Sequence, residues 1–517
     1  MEFHFREFEK YSDLVSRNAK EFPDKVCIYF KDKTYTYKEL DTMVRRTANV
    51  FMAHGVGFGD RVTLLLGNSP EFLFAYFAAS MMGAVIVPLN TFLKEREVSI
   101  NMNDCGSCFL VTGEAFAGVI SPLRALVPDM KQVFSFEDTS FDSVNIYKDS
   151  AATDAPINVS INPKEDLSTI IYTSGTTGKP KGVMLTHYNL VENGKGYNAG
   201  VEGTVDDITL LVLPMFHSFT FLACVSGPFI MGAGIAILGS VMEMSKESYA
   251  HFVKRVRPTM LLGVPQVYST MARMKLTPEQ RELFTFRICF SGGAPLPVET
   301  IRLFKENYGV PLVEGYGLSE AAPGVAVNPP RGVQKPGSIG LPLIRIEMKV
   351  VDENDNEVPI NTPGELCVRG PNIMKGYWNQ PEETACALRG GWLHTGDVAI
   401  KDEDGYYSIV DRLKDLILTK GMNVYPREIE ELLYAYPNVL TAAVIGVPDK
   451  DGSEIVVAYV KHSPDAKMDE TEIKHYLKDK LANFKVPRRI IFTDDIPINA
   501  SGKVSKKDLR LRHRETV

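Results

Sequence analysis

The residues best suited to chemistry lie in one run, Tyr172-Thr-Ser-Gly-Thr-Thr-Gly-Lys-Pro-Lys-Gly182. An apolar segment, Ser168-Thr-Ile-Ile-Tyr172, reads as a strand entering this loop. Glycines, hydroxyls and lysines in close succession give many exposed backbone N–H groups and positive charge, the means to wrap an oligophosphate. The run is not a Walker A loop. That pattern needs four residues between its glycines and a Ser or Thr after the Lys. Here Thr176 and Thr177 alone separate Gly175 from Gly178, and Pro180 follows Lys179.

Other segments add further chemistry. In Glu314-Gly-Tyr-Gly-Leu-Ser-Glu320 the glycines admit close backbone approach, Tyr316 offers a stacking face, and Ser319 a hydroxyl. Glu320 is a hard oxygen ligand suited to Mg²⁺ beside phosphates. Asp397 follows Gly396 before a strand, where a carboxylate can accept both ribose hydroxyls or cap a turn. Lys503 sits in a glycine-loosened turn, Ser501-Gly-Lys-Val. A cation there can bridge two anions that must react and stabilise the charge that develops between them. His217 lies in an uncharged stretch, where a core histidine bonded to backbone competes with a pocket wall.

Together these segments resemble the adenylate-forming superfamily of acyl-CoA synthetases, luciferases and peptide-synthetase adenylation domains. YTSGTTGKPKGVMLTH is similar to that family's phosphate-loop signature. LPMFHSF (213–219), SGGAPL (291–296), EGYGLSE (314–320), GELCVRGPNIMKGYW (364–378), GWLHTGD (391–397), DRLKDLI (411–417) and NASGKV (499–504) follow in the family's order, nearest in look to fatty acyl-CoA and aryl-CoA ligases. The resemblance implies MgATP and coenzyme A as co-substrates. It implies nucleotide contacts from Thr173, Ser174, Gly175, Thr176, Thr177, Gly178, Lys181, Gly293, Ala294, Glu314, Gly315, Tyr316, Gly317, Ser319, Asp397, Arg412 and Lys503. Tyr316 would lie against adenine, Ser319 at the α-phosphate, and Asp397 and Arg412 at the ribose. Lys503, Glu320, His217 and Thr177 would be catalytic, with Glu320 on the metal. His217, Phe219, Phe221 and Gly317 would line the acyl pocket, and Lys420-Gly421 would guide the pantetheine arm. Lys414 would be the hinge about which a mobile C-terminal domain turns. Two departures stand out: Ser319 where the family more often has Thr, and Leu418 where plant coumarate ligases typically carry Lys.

The elements that must position these residues are legible in the same sequence. The chain has 517 residues, 44% hydrophobic and 23% charged, enough for a large core. A net charge of −7 gives no reason to expect a nucleic-acid binder. Seven scattered cysteines read as reduced thiols, and the CxxC at Cys105–Cys108 has no second pair to complete a metal site. Residues 24–111 alternate apolar runs (VCIYF, RVTLLLG, AVIVPL) with helical ones, which argues for parallel βαβ units. Near 345 the texture shifts to short strands, with Asp404-Gly405 a hairpin turn. After Asp411 it becomes compact α+β. The expected fold is α/β: a large N-terminal domain (1–411) of βαβ-rich subdomains plus a β-rich one, a hinge (412–414), and a small mobile α+β domain (415–517).

From Ile208 to Met242 no Asp, Glu, Lys or Arg occurs, but Pro214, His217, Gly227, Pro228, Gly232 and Gly234 punctuate the run, so it reads as strand, loop, short helix and strand and not as a membrane span. The charged N-terminus lacks a signal-peptide core and the C-terminus a targeting tripeptide, so a cytoplasmic enzyme is expected, with peripheral membrane contact and homo-oligomerisation left open. The expected substrate is an apolar carboxylic acid, a medium- or long-chain fatty acid, with an aryl acid of the coumarate or benzoate type as the alternative. The chain runs only to Val517 after Lys503, without a fused carrier domain, so a ligase loading a carrier protein would need a separate partner.

Overall fold

Thr36 starts the first long helix, Tyr37–Ala53. Its hydroxyl accepts the Glu39 N–H, and the Glu39 carboxylate accepts the Thr36 N–H at 2.7 Å. Apolar residues at helical spacing, Leu40, Val44, Ala48 and Phe51, bury one face. The next helix, Pro70–Met81, is apolar all round and is buried everywhere but at Glu71. The computed structural model describes residues 8, 10–174, 180–239, 241–245, 247–274, 276–419, 422–449, 454–498 and 504–516.

Among these residues the strands form five sheets. One large sheet runs, in spatial order, Leu341–Pro342, Gly324–Val327, Leu312–Gly317, Ile288–Ser291, Met260–Gly263, Ile208–Leu211, Gly234–Ile237, Val26–Phe30, Lys33–Thr36. The other runs Gly376–Tyr377, Pro180–Thr186, Leu167–Ser174, Val85–Pro88, Arg61–Leu64, Phe109–Val111, Gln132–Ser135, Val144–Asn145. Arg61–Leu64 pairs in parallel with Val85–Pro88 and with Phe109–Val111, the βαβ arrangement the alternation predicts. Val26–Phe30 differs. It leaves that series, pairs in parallel with Gly234–Ile237, and forms a hairpin with Lys33–Thr36. Alternation identifies the elements, but sheet membership is decided by a partner 200 residues away. A single apolar core joins the sheets through Ile28, Ile235 and Leu262 on one side and Val62, Phe109 and Val183 on the other.

The uncharged stretch resolves into strand Ile208–Leu211, helix Ser218–Phe221, a π-helical turn Leu222–Ser226, helix Gly227–Met231 and strand Gly234–Ile237. Among the described residues no helix is long and apolar enough to cross a membrane. A four-stranded antiparallel sheet follows, Glu347–Val351, Gly364–Arg369, Leu393–Lys401 and Tyr407–Arg412, with Gly405 left-handed (φ 82°) at the expected hairpin turn. Beyond it Val439–Pro448, Glu454–His462 and Arg489–Phe492 form a sheet with its own core of Ile429, Leu433, Val444, Val456, Ile473 and Leu477. The basic segment after Lys503 contains the helix Lys506–Thr516, which buries Leu509.

Candidate active site

Strand Leu167–Ser174 delivers the glycine-rich loop, and Pro180–Thr186 returns antiparallel to it with Thr173 opposite Lys181. Gly175, Thr176, Thr177 and Gly178 lie outside the described residues, as do Lys420, Gly421 and Lys503. At the loop's exit Lys181 meets Glu383 at 2.5 Å and stands 5.0 Å from the centre of the Tyr377 ring.

The EGYGLSE segment is the edge-proximal strand Leu312–Gly317 followed by a short turn, Ser319–Ala321. Its glycines are required by contact. A Cβ on Gly317 would lie 2.1 Å from the Pro323 carbonyl oxygen, and one on Gly315 2.4 Å from the Phe290 ring. Glu320 accepts a hydrogen bond from the Tyr377 hydroxyl at 2.9 Å, and burial with that carboxylate raises the Tyr377 pKa. Ser319 and Ser218 hydroxyls lie 3.1 Å apart, tying this turn to the helix that follows His217.

Asp397 is buried, 4% exposed, and both its oxygens are engaged: Oδ2 accepts from the Tyr316 hydroxyl at 2.5 Å and Oδ1 faces Arg412 Nε at 3.0 Å. Strand pairing sets this, with Asp397 directly opposite Arg412. The carboxylate beside Arg412 raises the guanidinium pKa further. Sequence reading named all three residues but not that Tyr316 joins the pair through its hydroxyl.

Glu314 points elsewhere. It is 3% exposed; Oε1 accepts the Leu296 N–H at 3.1 Å and lies 3.9 Å from Arg427, while Oε2 is buried without a hydrogen-bond partner. Burial raises its pKa to about 7, the charge of Arg427 working against the rise. Arg427, at the start of helix Pro426–Tyr434, also donates to the Ile409 carbonyl at 2.6 Å, and its N–H to Asp411 at 3.0 Å. Sequence reading missed it, since nothing in YPREIE marks its arginine as the one that turns inward. Two further contacts cross the same seam: Arg273 to the Val439 carbonyl at 3.0 Å and the Val298 N–H to Glu431 at 3.5 Å. Lys414 has its backbone in the turn Leu413–Asp415, between the last strand of the four-stranded sheet and strand Ile417–Thr419.

His217 caps helix Ser218–Phe221, its Nδ1 accepting the Phe219 N–H at 3.3 Å. Phe219 lies over Gly292, where a Cβ would come within 2.9 Å of the ring, and 5.8 Å from Phe290. Gly293 is left-handed (φ 83°) and carries the chain past Ala294. Phe221 belongs both to the core and to the wall of a small cavity. It is buried, 6% exposed, and stacks on Tyr76 at 4.1 Å within a cluster including Tyr11, Phe72 and Phe77. The space it does line, with Tyr76, Met215, Phe216, Ser218 and Pro323, is a cavity of ≈ 20 Å³. Cys105 ends helix Glu95–Cys105 in the core, and burial raises its pKa to about 11. Cys108 precedes strand Phe109–Val111.

The sequence profile of the AMP-binding enzyme family matches residues 15–378, and that of the AMP-binding enzyme C-terminal domain matches 428–503. The chain is 37% identical over 499 residues to a feruloyl-CoA synthase from an Amycolatopsis species, covering 96% of this chain and 97% of that protein. It is 33% identical over 534 residues to a long-chain-fatty-acid–CoA ligase of Bacillus subtilis, covering 97% and 94%. The crystal structure of ATP-bound MatB from Rhodopseudomonas palustris superposes with a TM-score of 0.89 at 32% identity, covering 98% of this chain and 99% of that one. The chain belongs to the AMP-binding enzymes: it is an adenylate-forming enzyme of the acid–thiol ligase type.

Proposed function

We propose that this enzyme activates an aromatic carboxylic acid as its acyl-adenylate and transfers the acyl group to coenzyme A. The observation that carries the choice of acid is the small space beside Phe216 and Ser218. Phe219 covers Gly292, and the cavity lined by Tyr76, Met215, Phe216, Ser218 and Phe221 holds about 20 Å³, room for roughly one water. A drug-sized ligand needs roughly 300 Å³ or more. In this reading a flat ring would need local movement of one phenylalanine ring, whereas a long alkyl chain would need a continuous tunnel through a packed core. A medium- or long-chain fatty acid is the second reading, favoured by the apolar wall of Ile171, Leu185, Leu190, Met215 and Leu222.

In this reading the acid's carboxylate oxygen attacks the α-phosphorus of MgATP and pyrophosphate leaves. The CoA sulfur, having lost its proton, then attacks the adenylate carbonyl and AMP leaves. The first step depends on holding two anions in line, which positioning and fixed charge supply. Glu320 would ligate the magnesium that arrives with the triphosphate, the glycine-rich run would hold its phosphates, and Asp397 with Arg412 would take the ribose. Lys503 neutralises the approaching carboxylate. For the second step the domain beyond Lys414 turns, replacing Lys503 by the Lys420-Gly421 face, a switch between two discrete arrangements. The Arg427–Glu314, Arg273–Val439 and Val298–Glu431 contacts would part in that turn; all three are polar, as suits surfaces that separate. A panel of benzoates, hydroxycinnamates and fatty acids from six to eighteen carbons, assayed for AMP release with CoA present, tests the substrate. Aromatic acids with kcat/KM at least about tenfold above any fatty acid support it, that ratio being one decade of transition-state preference. Rates that climb steadily with alkyl length favour the second reading.

A further inference from the structure

The strand that presents Asp397 is irregular. Between Cys367↔His394 and Glu365↔Val398, one strand advances two residues while the other advances four. Thr395, Gly396 and Asp397 are therefore opposed by Leu366 alone, and Gly396 adopts the left-handed conformation (φ 71°). Such bulges re-aim side chains, but they leave backbone groups without ladder partners.

One side chain restores the missing partner. Glu365 Oε1 accepts the Gly396 N–H at 3.0 Å, and Oε2 lies 2.8 Å from His394 Nδ1. A carboxylate only accepts, so Nδ1 is the protonated nitrogen. Arg389 donates to the same Oε2 at 3.1 Å and is itself held by Asp355 at 3.0 Å. Thr395 completes the turn: its hydroxyl donates to the Leu366 carbonyl at 2.8 Å and accepts the Asp397 N–H at 3.1 Å. Glu365 and His394 are 15% and 5% exposed at their side chains, so water competes little for these bonds.

We infer that Glu365 is a positioning residue, whose carboxylate clamps the His394–Asp397 bulge and so aims Asp397 at the ribose of the nucleotide. The inference rests on the ribose role proposed for Asp397. Tyr316 and Arg412 engage the two carboxylate oxygens of Asp397, and its backbone is held by pairing with Arg412 on one side and through the bulge on the other, so the Glu365 clamp fixes the side that the ladder leaves open.

The test compares ATP with 2′,3′-dideoxy-ATP, which lacks the hydroxyls Asp397 would hold, in acid-dependent AMP formation by the intact enzyme. Wild type should prefer ATP in kcat/KM. Glu365→Ala should raise KM for ATP about tenfold or more, within the range a shift of roughly 1 Å costs. It should leave KM for the acid nearly unchanged and erase most of the ATP/dideoxy-ATP preference. Glu365→Gln, which keeps an oxygen for the Gly396 N–H and the side chain's volume, should retain an intermediate preference and carries the comparison if the alanine variant folds poorly. Asp397→Ala is the reference. If it abolishes the preference while the Glu365 variants slow both nucleotides equally, Glu365 is only structural and the inference is overturned. If Asp397→Ala itself keeps the preference, the ribose reading fails and takes the inference with it.

Discussion

Replacing Glu314 by Gln should stabilise the enzyme, and by an amount that depends on pH. The carboxyl is 3% exposed, one oxygen has no hydrogen-bond partner, and the nearest cation, Arg427, stands 3.9 Å away. Burial raises its pKa from 4.5 to about 7. The folded protein therefore binds a proton in the window between those values that the unfolded chain has lost, and stability falls as pH rises through it. Above about pH 7 the ionised group is carried in full, a cost of roughly 3 kcal/mol from the separation of the two values. Glutamine keeps an acceptor for the Leu296 N–H and removes the charge. Unfolding in urea at pH 5 and pH 8, followed by tryptophan fluorescence and circular dichroism, should show little gain for Glu314→Gln at pH 5. At pH 8 the gain should be about 2–3 kcal/mol larger, since at pH 5, just above the unfolded value, a small part of the cost is already present. A variant equally stable at both pH values relative to wild type would refute the argument. A variant less stable at pH 8 than at pH 5 would show that Glu314 and Arg427 form a net-favourable ion pair.

Four further outcomes follow from the same geometry. Gly317→Ala places a methyl 2.1 Å from the Pro323 carbonyl, so backbone must move where the nucleotide is proposed to bind, and kcat/KM for ATP should fall about 10²-fold while the protein still folds. Phe219→Ala removes the ring over Gly292 and should broaden the acid panel toward bulkier acids, read as kcat/KM across the series; an unchanged ranking would remove Phe219 from the pocket. Glu320→Gln should raise the magnesium concentration for half-maximal adenylation, and an unaltered titration would count against metal binding there. His187 is buried with Nε2 unpartnered, and burial lowers its pKa to about 3. Its contribution is present above pH 6.5 and lost as pH falls toward 3, so His187→Gln should flatten the acid limb of the stability curve.

What the sequence reveals and what it hides divide along a physical line. Local patterns sufficed for strands such as Val26–Phe30 and Arg61–Leu64 and for the Asp404-Gly405 turn, because each is decided within a few residues. The resemblance named Tyr316, Asp397 and Arg412, and the structure brings these three into contact. Hidden were the contacts made across long stretches of chain: Val26–Phe30 joining the sheet of Gly234–Ile237, Arg427 reaching Glu314, and Glu365 filling a bulge. Phe221 shows the same limit from the other side. Two residues from Phe219 on one helical turn, it packs into the core, because Tyr76 from a helix 145 residues earlier in the chain is there to stack on it.

The most direct test of the proposed function separates the two half-reactions. Purified enzyme is given MgATP, an aromatic acid and labelled pyrophosphate without CoA, then the same acid with CoA. Acid-dependent exchange of label into ATP is expected in the first case, and in the second one thioester and one AMP per ATP consumed. Loss of exchange in Lys503→Ala, with thioester still formed from supplied acyl-adenylate, completes the prediction. Thioester formation with release of ADP, or with no acid-dependent exchange, would contradict it.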